Sequence, residues 1–466
     1  MSVVQSDWVK LTQNLFENVN DLSVETILGG QMTVMYIHHL LNKNEYHQVI
    51  TAFAQDSDSD AALKRLMSVW NPLQGHNEQD ILSKISEHIV NGDIVGVYNN
   101  QVAMISSGAA SFRSIQSSAK ENVITGPHDA FVESAEINAS LIRRRIRTPK
   151  LKGIKYNIGK DFPFYAYLFY VEGVAEEDVI SEACMRMENL HMREVLDGNE
   201  VAKQLDDTPF AVFPQWIGTE RPDSVTQYLL NGKVAVITDN SPTVVVAPVN
   251  FLDFFAVIGD NYERWHFSRF IRALRLFAFT LTLMLSAFYV AVTTYHYQFI
   301  PPTLLETMIT SRLRVPFEPM MEALLMEGVI EILREAGARL PTKIAQTIGI
   351  VGGLVIGQAI VQAGLTGNVL IVAVASSALA SFIIPNYTLE TSMRALRFIN
   401  IILAGLMGYF GIVIFMSLII TRLCHLRSLN KEYIDLSYFA DFFFWSKEKR
   451  PRSVVQKSYF RRGGRS

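Results

Sequence analysis

Four carboxylates recur at spacings of four, five and four in VPFEPMMEALLMEGVIEILREAGARLP, residues 315–341: Glu318, Glu322, Glu327 and Glu331. On a helix that spacing lays them along one broad face. A row of carboxylates attracts cations, and the same row makes a lipid-exposed span costly. Two readings stay open: an interfacial amphipathic helix lying on a membrane, or a re-entrant or bundle-buried helix whose carboxylates line a cation vestibule.

The next stretch, IAQTIGIVGGLVIGQAIVQAG (344–364), carries no charge over 21 residues. That is enough helix to cross roughly 30 Å of hydrocarbon. Gly349, Gly353 and Gly357 form a stripe with Gly352 beside it, which lets another helix backbone come close. Thr347, Gln358 and Gln362 fall within about 60° of the opposite side, interleaved with Val351, Leu354 and Val355. That face serves either as hydrogen-bonding glue between helices or as the wall of a water-filled path.

A second charged group, Arg143, Arg144, Arg145, Arg147, Lys150 and Lys152, lies in the joint TGPHDAFVESAEINASLIRRRIRTPKLK. It reads as a solvated helix end, as Arg side chains pairing with Glu133 and Glu136, or as a contact for an acidic partner or anionic lipid. His38 and His39, within MTVMYIHHLL, read as packing histidines. Cys184 and Cys424 lie far apart and have no metal-type or disulfide spacing. No Walker motif, G-x-G-x-x-G, HExxH or nucleophile elbow occurs, so no enzyme, cofactor or metal is expected. A net charge of −3 and a pI near 6.4 give no reason to expect nucleic acid.

These residues need elements to hold them, and the 466-residue chain splits into a polar first part and an apolar second. The expected fold class is an α+β cytosolic N-terminal region of two related subdomains, followed by an all-α multi-pass membrane domain. The divisions are 1–125, a basic joint at 126–150, a second subdomain at 151–260, the membrane domain at 261–425 and a basic cytosolic tail at 426–466. Residues 1–95 read as helical, from the i, i+3, i+4 periodicity of AALKRLMSVWNPL and ILSKISEHIV. IVNGDIVGVYNNQVAMISSG and LLNGKVAVITDNSPTVVVAP then align as a repeat, a helix end followed by a β-hairpin, used twice. YAYLFYVEGVA reads as a central strand, and EEDVISEACMRMENL as an amphipathic helix. Spans are expected at 276–297, 344–364, 368–385 and 398–421, the last thinned on one side by Gly405, Gly408 and Gly411. The acidic helix is expected at 318–335. Four spans leave both ends inside, in keeping with Arg264, Arg269, Arg272 and Arg275 at the first mouth and eleven Lys or Arg against four Asp or Glu from Arg422 to Ser466.

Several long motifs in order, TERPDSVTQYLLNGKVAVITDNSP, DNYERWHFSRFIRALRLFAF, the acidic helix, TIGIVGGLVIGQAIVQAGL and ASFIIPNY, resemble the A subunit of GerA-type spore germinant receptors. GPHDAFVESAEINASLIRRRIR resembles the same family's mid-domain motif, and the likeness runs from about residue 90 to 425. The resemblance implies a nutrient-gated channel of the spore inner membrane, both terminal regions on the core side, releasing monovalent cations to start germination. It implies a homo-oligomeric ring, expected as a pentamer, working with a transporter-like B subunit and a lipoprotein C subunit. Arg221, Pro222 and Asp223 match one family motif; Glu322, Glu327, Arg334, Glu335 and Gly337 match the Glu-rich one; Gly349, Gly352, Gly353, Gly357 and Gln358 match the glycine-rich one. PFEP carries Glu318 where the family commonly has Pro. In that setting copies of 344–364 are expected to surround the axis, with Val351, Leu354 and Val355 as a dewetted constriction. The alternatives are a membrane-anchored signalling scaffold and a paralogous germination channel subunit without its own nutrient sensor. A secondary transporter is disfavoured by the lack of an internal membrane repeat.

Overall fold

The computed structural model describes residues 7–16, 21–27, 32–41, 46, 70–73, 75, 77–98, 101–106, 121, 126–160, 164–192, 197–313, 315–339, 353, 355 and 357–435. The N-terminal helix α1 (Asp7–Leu15) leads into strands β1 (Leu22–Ile27), β2 (Met32–Ile37) and β3 (Asn71–Pro72). Helix α2 (Glu78–Asn91) and the hairpin β4 (Ile94–Tyr98) and β5 (Gln101–Ile105) complete the first unit. Its antiparallel sheet runs β1-β2-β4-β5-β3. Trp8, Val9 and Phe16 at the first helix, with Ile85, Ile89 and Val90 of α2, pack on Met35, Ile37, Val95 and Val97. The helical reading of residues 1–95 holds for ILSKISEHIV but fails for LSVETI (β1), for Asn71–Pro72 at the end of AALKRLMSVWNPL (β3) and for MTVMYI, which is the interior strand β2. β-Branched and aromatic residues buried on both faces leave no alternation to read, so periodicity could not separate helix from strand there. His39 is buried in a 3₁₀ turn after β2, edge-on to Tyr167. Residues 61–69 of AALKRLMSVWNPL lie outside the described residues.

The second unit repeats the plan. Helix α3 (Ala135–Arg145) precedes β6 (Leu151–Asn157), β7 (Tyr165–Val171), α4 (Glu177–Asn189), α5 (Gly198–Leu205) and β8 (Ile217–Thr219). Then follow α6 (Pro222–Leu230), β9 (Val234–Thr238) and β10 (Val244–Ala247). The order β6-β7-β9-β10-β8 reproduces the first sheet strand for strand. Each repeat turns from helix to hairpin through a left-handed glycine, Gly92 at φ +92° and Gly232 at φ +85°. A Cβ at Gly232 would sit 2.9 Å from the Val174 carbonyl oxygen, so the turn needs glycine for space as well as for φ.

The basic joint divides between buried and exposed side chains. Arg143 is fully buried, donating from Nε and Nη2 to both oxygens of Asp21 at 2.8 Å and from Nη1 to the Leu151 carbonyl. This bidentate pair fastens the first unit to the second. Arg145 pairs with Asp129 at 2.6 Å, while Arg144, Arg147 and Lys150 stay at the surface. The partners are set by tertiary packing, which spacing along the chain does not encode.

The C-terminal region is helical: α7 (Trp265–Thr294), α8 (Pro302–Arg312), α9 (Pro319–Arg339), α10 (Asn368–Ser381), α11 (Tyr387–Met407) and α12 (Tyr409–His425). Among the described residues, α7 alone is long and apolar enough to cross a membrane, and α10 and α12 are shorter apolar helices. The span expected at 398–421 is two helices. Gly408, at φ +63° and ψ −138°, breaks it in a conformation essentially reserved for glycine. A Cβ at Gly411 would overlap the Leu403 carbonyl oxygen, and one at Gly405 would overlap Met320. The three glycines thus make one fold-back with close contacts on each side of it. Phe415, Ile419 and Leu423 of α12 return beside Leu396, Met393 and Leu389 of α11.

The two regions share a core: Phe213, Ile217, Leu252, Phe254 and Phe255 pack with Phe279, Leu389 and Leu423. After α12, the strands β11 (Arg427–Ser428) and β12 (Lys431–Glu432) form a tight hairpin on the second unit. Ser428 Oγ donates to the Gln215 carbonyl at 2.7 Å and Tyr433 Oη to that of Pro214 at 2.8 Å, with Leu429 buried in the core of the second unit. Near this seam burial, helped by Asp207, pushes the Asp206 carboxyl up to about 7. The folded chain therefore holds that proton more tightly than the unfolded one, so its contribution is fullest below about pH 4 and fades as pH rises through 7. Asp206→Asn should raise stability at pH 8 by about 1–2 kcal/mol, a figure discounted for partial solvent screening, and change nothing near pH 4. Thermal midpoints of the detergent-solubilised chain at the two pH values test this.

Candidate functional site: an ion-pair ladder beside the glycine-rich helix

Helices α9 and α11 run antiparallel, and their charges meet in rungs. Glu327 faces Arg397 at 2.9 Å with both side chains fully buried; Glu331 pairs with Arg394; Arg334 pairs with Glu390 at 2.6 Å. Neighbouring helices supply hydroxyls. Ser286 of α7 donates to Glu327 at 2.6 Å, Arg397 donates to Ser377 of α10 at 2.9 Å, and Arg334 donates to Ser381 at 2.9 Å. Below the ladder, Glu322 is fully buried, accepts the Gly367 backbone N–H at 2.5 Å and lies 4.0 Å from Arg312. Buried carboxylates and guanidiniums are tolerable only in such paired, hydrogen-bonded arrangements.

The acidic row expected on one face therefore divides. Glu322, Glu327 and Glu331 turn into their own bundle, whereas Glu318 is exposed just before α9. Helix α9 starts at Pro319 as its prolines suggest, and runs through Gly337 to Arg339. Glu335 makes an exposed i,i+4 pair with Arg339, and nothing lies within 4 Å of a Cβ placed at Gly337. Sequence reasoning passed over Arg394, Arg397, Glu390 and the three serines. The available signal was Glu390, Arg394 and Arg397 at spacings of four and three in an otherwise apolar helix, the same spacings as Glu327, Glu331 and Arg334.

Of the glycine-rich segment, Thr347, Gly349, Val351, Gly352 and Leu354 lie outside the described residues. Residues 357–362 are helical, and Ile360 enters the core of the bundle. Val355 is 53% exposed, and Gln358 and Gln362 are exposed as well. A Cβ at Gly353 or Gly357 would meet nothing within 4 Å.

Arg221, Pro222 and Asp223 open α6, with Pro222 at its first turn. Arg221 donates to Asp223 from Nε at 3.0 Å and Nη2 at 2.6 Å, and Tyr262 Oη donates to Asp223 at 3.2 Å. Tyr262 lies three residues before α7, and its ring would contact a Cβ at Gly126. The motif thus joins the α+β region to the entry of the first long apolar helix. Asp260 next to it holds Arg275 of α7 at 2.6 Å.

Among the described residues no cluster of three or more His, Cys, Asp or Glu could hold a metal. The model of the Bacillus/Clostridium GerA spore germination protein family matches residues 10–453. The chain is 38% identical to spore germination protein GerQA of Bacillus cereus, over 87% of this chain and 82% of the relative. It is 36% identical to spore germination protein A1 of Bacillus subtilis (strain 168), over 87% and 84%. The N-terminal domain of the A subunit of the Bacillus megaterium spore germinant receptor GerK3 overlays with a TM-score of 0.39 at 20% identity, over 52% of this chain and 94% of that one. The chain belongs to the GerA spore germination protein family.

Proposed function

We propose that the chain forms, as a ring of copies, a nutrient-gated channel that passes monovalent cations across the spore inner membrane. A transporter-like B subunit senses the nutrient, and a lipoprotein C subunit completes the receptor. The carrying observation is the outward face of the glycine-rich helix: Val355, Gln358 and Gln362 point away from their own bundle, while Ile360 anchors the helix to it. Around an axis, that face with Thr347, Val351 and Leu354 supplies a pore wall with an apolar constriction. Gly353 and Gly357, open within one protomer, are where the neighbouring helix would approach.

Membrane embedding is supported by the bulky apolar side chains left exposed on α10, α11 and α12, among them Val372, Leu379, Leu406, Phe410 and Leu418. With 398–421 divided at Gly408 and α9 packed inside the bundle, the proposed count rises from four passes to six, α7, α9, α10, α11 and α12 joining the expected span 344–364. An even number returns the chain to the side on which it started, in keeping with 427–433 docking on the α+β region. Glu318 is the carboxylate left to act at a cation entrance.

Single-channel recording from purified, reconstituted protein tests the reading. Cation-selective currents are expected, and an assembled, correctly inserted protein that stays silent alone and with its B and C partners would count against it. Gly353→Leu should block assembly instead of opening the pore, because the neighbouring backbone could no longer approach. Native mass measurement in detergent should show protomers where the parent chain shows the ring.

A further inference from the structure

Helix α9 ends at Arg339, five residues before the glycine-rich segment begins at Ile344 in the sequence, and it meets α11 through three ion pairs. The three rungs are ordered: α9 reads Glu327, Glu331, Arg334 and α11 reads Arg397, Arg394, Glu390. Polarity reverses at the last rung. Sliding α9 by one turn one way sets Glu331 beside Glu390, two carboxylates together. Sliding it the other way brings Arg334 toward Arg394 and leaves Glu390 opposite Ala338. The rungs lie one turn apart, so these are the neighbouring registers available to a helix–helix ratchet.

We infer that Glu390, Arg394 and Arg397 are positioning residues: their charge order admits one register of α9 on α11, the register of the closed state. Like-charge contacts in a poorly hydrated bundle penalise both slipped registers, and mixed polarity discriminates in a way that three identical rungs could not. Met320 of α9 already marks the native register by packing on Gly405 of α11. The statement about pore closure rests on the channel reading above, but the register itself does not.

Two double swaps test it, each keeping three oppositely charged rungs. Arg334→Glu with Glu390→Arg makes all rungs alike, so slipped registers meet no like charges. Glu331→Arg with Arg394→Glu keeps mixed polarity. Both are built with Cys184→Ser and Cys424→Ser, and cysteine pairs report register by oxidative cross-linking in membranes. Met320→Cys with Gly405→Cys reports the native register; Leu324→Cys with Gly405→Cys and Met320→Cys with Ile401→Cys report the two slipped ones. The uniform-polarity chain is expected to raise slipped products relative to native on the order of tenfold, and the mixed-polarity chain to match the parent. Should the uniform swap not accumulate, Arg334→Gln with Glu390→Gln removes the repulsion more gently and should raise slipped products in the same direction. Equal ratios in the uniform, mixed and parent chains overturn the register assignment, whatever the protein conducts. With the register assignment upheld, spores carrying the uniform swap at parental protein level should germinate without nutrient. Silence there would overturn only the link to the gate.

Discussion

Spores carrying Val355→Ala are expected to germinate without nutrient, at a rate raised at least about tenfold over the parent. Val355 is the described member of the apolar set Val351, Leu354 and Val355, and it stands 53% exposed on the face turned away from its own bundle. In a ring, such side chains would meet one another across the axis and hold water out. Replacing Val by Ala removes two carbons, about 1.6 kcal/mol of apolar burial per protomer at about 0.8 kcal/mol each. Even one such increment shifts a closed–open equilibrium by roughly tenfold, and a ring multiplies it. Gln358 and Gln362 on the same face are untouched, so conduction once open should keep its selectivity. The measurement is release of core cations and loss of optical refractility in buffer alone, with protein levels matched by immunoblot. Leu354→Ala should behave in the same direction. Dormant spores in both cases would mean that this face is not the gate.

Much of the α+β architecture was readable because its signals are local. Asn91–Gly92 and Asn231–Gly232 each announce a helix end followed by a hairpin, and both glycines adopt the left-handed conformation that such a junction requires. The matching five-strand order extends that repeat beyond the aligned residues. MTVMYI was misread because a strand buried on both faces shows no period of two. The break at Gly408 was missed for a related reason: three glycines in an apolar run fit a packing stripe as readily as a reversal. The difference lies in Tyr295 and His296, which close around Gly408 from the end of α7. The acidic helix was found, but its direction was not. Spacing placed Glu322, Glu327 and Glu331 together; what turned Glu327 and Glu331 inward was Arg397 and Arg394, more than 60 residues further along and recognisable only once α11 lies antiparallel to α9, while Glu322 turns to the Gly367 N–H.

The Glu327–Arg397 rung carries the largest expected effect on stability. Both side chains are fully buried, and removing either leaves the other charge in the bundle without its counter-ion. Arg397→Ala is therefore expected to cost about 3–5 kcal/mol, as does Glu327→Ala, with Ser286 and Ser377 too weak as hydrogen-bond partners to compensate. Replacing both at once, Glu327→Leu with Arg397→Met, exchanges the pair for apolar volume and should restore stability to within about 1–2 kcal/mol of the parent. The thermal midpoint in detergent should thus fall sharply in each single variant and recover in the double one. Equal losses in the single and double variants would instead mean that the site depends on the shape of these side chains and not on their charge. The double variant has a further use. It keeps the bundle while deleting one rung of the ladder, so the remaining pairs, Glu331–Arg394 and Arg334–Glu390, must hold the register alone. If mixed polarity at those two rungs suffices, the double variant should stay closed without nutrient even though its most deeply buried ion pair is gone.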